Sequence, residues 1–185
     1  MLYLRSVIVL ENGNSFFEIF GISQIYELDA TQLAARYREL QQQFHPDRFA
    51  DKPERERNRA VQWSATINQA FDTLKSPLKR AQYLLAEKGF DSTGESTISR
   101  DPMFLMEQME LRESLTDVRD NDDPFAALDE LRSRVNGDYR EQQACFAQYY
   151  DASQYDEALD VVAKMQFSSK LLAEMDLLEE DLDDC

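Results

Sequence analysis

Apolar residues recur along this chain with the period of a helix. Leu33, Tyr37, Leu40 and Phe44 fall four, three and four residues apart and share one face, with Arg36, Arg38, Glu39 and Gln41 to Gln43 off it. Asp29 can supply an N-cap, Gln32 three residues later can close a capping box, and Leu28 can pack on Leu33 as a staple. Pro46 disfavours helical backbone in the residue before it, so this helix ends at Phe44 or His45. A second stripe, Ala60, Ser64, Ile67, Phe71 and Leu74, broadened by Val61, Trp63 and Ala70, follows Pro53, Glu54 and Glu56, which suit a first turn. Two helices joined by a short polar loop pack antiparallel. That arrangement leaves His45, Pro46 and Asp47 at one exposed end of the pair. Upstream, Phe16 to Ile22 predicts a short apolar helix lying across it. Downstream, Pro77 opens a helix with Leu78, Ala81, Leu84 and Leu85 inward, and Lys88-Gly89 stops it.

The pattern then lapses. Residues 91–100 are polar and aperiodic and predict a linker. Asp101-Pro102 and Asp123-Pro124 each read as an N-cap with proline at the first helical position. Three helices are predicted, over 102–119, 124–150 and 155–180, with neighbours antiparallel because the loops are short. The middle one carries Leu128, Leu131, Val135, Tyr139 and Phe146 on one side, and Gly137 weakens it locally. In the first, Phe104, Gln108, Leu111, Leu115 and Val118 make one stripe. Leu105, Met106 and Met109 lie about 100° to 200° away from Phe104, flanked by Arg112 and Glu113. Two readings stand for this second stripe: a helix buried on both sides, or an exposed methionine-bearing patch with a charged rim for a protein partner. Phe167, beside rather than within the Leu159/Val162/Ala163 face of the last helix, could join such a patch.

Composition narrows the class. Five glycines and five prolines in 185 residues, with many Leu, Ala, Glu and Gln, predict an all-α chain of two units. The first, residues 16–90, is a helical hairpin with short flanking helices. The second, residues 101–185, is a three-helix bundle. The net charge of −16 is uneven. Residues 1–90 hold 12 basic and 11 acidic side chains, and residues 91–185 hold 8 and 25, so nearly all the negative charge sits in the second half. That excess opposes nucleic acid and anionic membranes. Two cysteines, Cys145 and Cys185, make no disulfide framework and point to the reducing cytoplasm. No apolar run approaches a membrane span, and residues 1–15 lack the basic start and small-residue cleavage site of a signal peptide. An enzyme built on His45 and Asp47 would need a nucleophile or metal in a cleft, and a metal carrier several soft ligands at close spacing. With one His, two distant Cys and no glycine-rich phosphate loop, neither metal nor other cofactor is expected.

The tripeptide carries the first chemical clue. Asp47 in an exposed loop offers a bidentate acceptor for a partner's arginine, and Arg36 and Arg38 offer positive charge nearby. His45-Pro46-Asp47 between two antiparallel helices resembles the signature of J-domains, which stimulate ATP hydrolysis by DnaK-type chaperones. Phe44 to Phe49, Ser64 to Phe71 with Pro77 to Ala81, and Phe104 to Glu113 resemble the HscB family, J-type co-chaperones of bacterial iron–sulfur cluster assembly. The likeness covers residues 16–180. It implies that His45, Pro46 and Asp47, with Arg36 and Arg38, contact the chaperone HscA and stimulate its ATPase. It implies equally that Leu105, Met106, Met109, Glu110, Arg112, Glu113 and Phe167 bind the scaffold protein IscU. Met109 stands where leucine is expected, a swap that conserves volume. The cysteine-rich metal site of some eukaryotic relatives is absent, since no cysteine precedes Cys145. Residues 1–15 fall outside the pattern and are expected to be an extension, disordered or left by the choice of start codon or by expression. The rival is a general J-domain co-chaperone with another client, although the Gly/Phe-rich linker and cysteine repeats of DnaJ are missing.

Overall fold

The computed structural model describes residues 15–92 and 101–183. The N-terminal extension before Ser15, most of the expected linker, and Cys185 lie outside the described residues. Every regular element among those described is helical: α1 (Phe16–Phe20), α2 (Ala30–Phe44), α3 (Glu54–Lys75), α4 (Pro77–Ala86), α5 (Pro102–Asp117), α6 (Pro124–Asp151) and α7 (Tyr155–Asp183). Short 3-10 turns at Pro46–Phe49 and Val118–Asp120 complete the set. The chain divides into compact units of residues 1–80 and 81–185. The end of α4 and the residues up to Ser92 are therefore grouped with the bundle, where sequence periodicity groups them with the first domain.

In the first unit the hairpin of α2 and α3 is held by aromatic and amide pairs. Tyr37 stacks on Phe71 with ring centroids 4.0 Å apart, and Phe44 meets Trp63 edge-on at 5.0 Å. The Tyr37 hydroxyl donates to Asn68 Oδ1 at 3.0 Å, and the Gln41 amide also bonds that oxygen. Leu33, Ala60, Ile67, Ala70 and Leu74 are buried. Val61, expected to broaden the apolar face, is instead 55% exposed, because it lies a sixth of a turn or more beyond the stripe that α2 covers. α1 buries Phe17, Ile19 and Phe20 against the pair. It starts in a capping box between Ser15 and Glu18 and stops at Gly21, whose left-handed φ of 62° glycine adopts without a Cβ penalty.

The second unit is an up-down-up bundle. Asp29 caps α2 in the first unit by accepting from the Thr31 and Gln32 amides, and Asp101 and Asp123 repeat the device at α5 and α6. α6 and α7 form a long antiparallel hairpin, turned by Ala152 to Gln154 with Ser153 at φ 59°. α5 runs parallel to α7: Asp101 meets Lys164, Arg112 meets Glu174, and Arg119 meets Asp181. Leu111, Val118, Leu128, Leu131, Val135, Leu171 and Met175 form the core under α5. Gln142 and Ser168 share a hydrogen bond of 3.1 Å across α6 and α7. Arg132 collects Asp129, Asp176 and Glu179, and its hydrogen bond to Glu179 raises its already high pKa. No helix among the described residues is long and apolar enough to cross a membrane.

Candidate interaction sites

Pro46 removes an amide and fixes its own φ, so α2 ends at Phe44 and the chain turns through extended backbone at His45 into the 3-10 turn. Sequence periodicity alone reads this stretch as plain loop. The Asp47 amide donates to His45 Nδ1 at 3.3 Å. That bond requires the neutral ring with its proton on Nε2. Asp47 Oδ2 also lies 3.5 Å from Nδ1, a contact that is attractive only when the ring is protonated and the amide bond is given up. The side chains are 52% and 90% exposed. The imidazole and the carboxylate therefore stand side by side at the open end of the hairpin, both accessible to a partner. Arg48 braces it by donating to the Gln42 carbonyl at 2.9 Å, a support that nothing in the residue pattern signals.

The two arginines of α2 differ. Arg38 is exposed. Arg36 donates through Nε to the Phe20 carbonyl at 3.2 Å and through Nη1 to Glu39 at 2.8 Å, so it ties α2 to the end of α1 and is partly neutralised.

In the second unit the second stripe of α5 faces solvent. Leu105, Met106 and Met109 are 40%, 61% and 73% exposed, and Phe104 and Leu111 carry the burial. Of the two sequence readings, the doubly buried helix is the one that falls. The seven residues do not form one spot, however. Phe167 lies half-buried, edge-on to Phe104 at 5.8 Å, with the Arg112 guanidinium 5.6 Å above it. Leu105 and Met109 are on that flank of α5. Met106 and Glu110 line a groove on the other flank, and Glu113 is exposed between them. Met103, 76% exposed, joins Met106 and Glu110 at spacings of three and four, which puts all three on one side of the helix. Asp101 positions the start of α5: it receives the Lys164 ammonium at 3.0 Å and the Met103 and Phe104 amides. Lys164 chiefly, and those amides, hold its carboxyl below the usual carboxylate range against a smaller opposing push from burial.

Two families match different parts of the chain. Residues 15–83 match the DnaJ domain family, and residues 100–176 match the family described as the HSCB C-terminal oligomerisation domain. A J-domain joined to that bundle defines a co-chaperone of DnaK-type (Hsp70) chaperones. The co-chaperone HscB homologue of Vibrio campbellii is 46% identical over 166 residues, spanning 90% of this chain and 97% of that protein. That of Aeromonas hydrophila is 44% identical over 168 residues, 91% of this chain and 98% of the relative. The structure of HscB from Vibrio cholerae superposes with a TM-score of 0.82 at 42% identity, covering 91% of this chain and 99% of that one. Human HscB also gives 0.82, at 26% identity over 91% and 84% of the two chains. The chain belongs to the HscB family, the J-domain co-chaperones of iron–sulfur cluster assembly.

Proposed function

We propose that the first unit docks on HscA through His45, Pro46, Asp47 and Arg38, with Arg36 in support, and stimulates its ATPase. The second unit holds IscU on Leu105, Met106, Met109, Glu110, Arg112, Glu113 and Phe167 and presents it to the chaperone. One observation carries this reading: the exposed tripeptide and the exposed apolar stripe lie in different units, so each can engage a partner without competing for surface. Four of the eight exposed large hydrophobic side chains among the described residues, Met103, Leu105, Met106 and Met109, fall within two turns of α5, a concentration that fold stability does not need. On this reading the protein works in the cytoplasm, consistent with a free thiol at Cys145.

The test removes one side of each contact. Asp47→Asn preserves shape and deletes the charge. Losing one partner of an interfacial ion pair costs about 2–5 kcal/mol, mostly the stranded opposite charge. Asp47→Asn and His45→Gln are expected to fold normally and to fail in stimulating HscA while still binding IscU by calorimetry. Full stimulation by either purified variant would overturn the chaperone assignment.

A further inference from the structure

α5 borders a groove on the flank away from Phe167. It encloses about 710 Å³ against α6 and α7, entirely within the second unit. Phe104 and Val161 are buried at its base, and Met103 and Met106 stand exposed on the α5 side, opposite Tyr149 of α6. Methionines adapt to the shape of what they cover. The groove therefore has apolar walls able to take a side chain.

Its charge is unbalanced. The two cations that line it already have acids: Arg134 lies 3.6 Å from Glu107, and Lys164 lies 3.0 Å from Asp101 and 3.7 Å from Asp160. Glu110, Asp138, Glu141 and Glu157 line it as well, and none is in an ion pair among the described residues. Asp138 Oδ2 is buried and receives no hydrogen bond. Asp138 as a whole is half-buried, and an unpaired carboxylate partly withdrawn from water attracts a cation more strongly than a fully solvated one.

We propose that this groove binds a cationic peptide segment, an apolar side chain resting on the methionine wall and a lysine or arginine reaching Asp138, Glu141 and Glu157. The same charge repels nucleic acid and acidic peptides. The groove shares Met106 and Glu110 with the IscU surface proposed above, but the three acids that define its preference lie outside that surface. The inference stands whether or not IscU is the client.

Cys145 lines the groove with an exposed free thiol, so its alkylation reports occupancy. The full chain carrying Cys185→Ser is titrated with a blocked peptide of alternating lysine and leucine, and separately with its glutamate–leucine counterpart. The lysine peptide is expected to bind by fluorescence anisotropy and to slow maleimide labelling of Cys145; the glutamate peptide does neither. The triple variant Asp138→Asn, Glu141→Gln, Glu157→Gln is expected to bind at least about tenfold more weakly, since charge-assisted contacts are the strong ones. A charge-matched variant away from the groove, Asp120→Asn, Asp122→Asn, Asp183→Asn, is expected to change affinity less than about twofold, because exposed charges beyond a Debye length are screened. Equal weakening by both triples would mean diffuse attraction to an acidic protein and would overturn the site. So would an unprotected Cys145 at saturating peptide. Protection that rises with protein concentration alone would make a second copy the occupant and would equally overturn it.

Discussion

Arg36 and Arg38 look interchangeable in the sequence, two cations on the wet side of one helix. Their surroundings separate them. Arg36 satisfies the Phe20 carbonyl at the end of α1, whereas Arg38 is left in solvent. Arg36→Ala is expected to destabilise the first unit by about 1 kcal/mol, the usual net value of such a hydrogen bond. Its exposed contact with Glu39 adds little. Arg38→Ala is expected to leave the urea midpoint unchanged and to slow association with the chaperone, more at low salt than at high. Urea melts beside stopped-flow mixing of both variants check this; equal melts would mean that the Phe20 contact contributes nothing. The same reasoning divides the apolar patch. Leu105→Ala and Met109→Ala open no buried cavity and are expected to cost less than about 1 kcal/mol. Phe167→Ala exposes the edge of Phe104 and is expected to cost about 2 kcal/mol, between these and the fully buried Leu171→Ala at about 2–5 kcal/mol.

At the scale of the element, helix starts were the most legible feature. Aspartate before the first turn, twice followed by proline, satisfies amides that the helix itself leaves open, and that chemistry is local. Asp101 adds a tertiary partner in Lys164. Its lowered pKa means that the folded bundle favours the carboxylate. The stabilisation is thus present above the ordinary value near 3.8 and is lost as pH falls through the lower folded value. Asp101→Asn is expected to lower the urea midpoint at neutral pH, and its gap from the parent protein is expected to close as the solution is acidified below pH about 4. A gap that does not narrow at all on acidification would assign the loss to packing instead. Gly137 makes the opposite case. It sits within α6, and a methyl group there would meet no atom within 4 Å. Gly137→Ala is expected to raise bundle stability by about 0.5–1 kcal/mol, measurable as a higher thermal midpoint.

Across the whole molecule the two units differ most in charge. The second half carries 25 acidic against 8 basic side chains and the first half is nearly balanced, so self-repulsion at low ionic strength acts on the bundle. The single tryptophan, Trp63, packs on Phe44 in the first unit and reports on that unit alone. Raising salt from about 0.02 M to about 0.5 M is expected to raise the helical circular-dichroism transition, which the bundle dominates, while the Trp63 fluorescence transition moves less. Coincident shifts of both probes would mean that the chain melts as one cooperative body.

The sequence by itself determined the all-helical class, the order of the helices and their starts, and the family likeness of both halves. Those depend on backbone propensity, capping and period, which act over a few residues and leave their mark on neighbouring positions. It also located the Leu105/Met106/Met109 stripe without deciding whether that stripe was buried. That decision belongs to tertiary structure, because one helix can turn two apolar sides to two neighbours or only one, and periodicity is the same in either case. Only the packed bundle sets Phe167, against Phe104 and Arg112, apart from Met106 and Glu110 in the acidic groove. Only the packed first unit distinguishes Arg36 from Arg38, through a carbonyl sixteen residues away in the chain. Contacts of that range are set by how helices meet, and no local pattern records them.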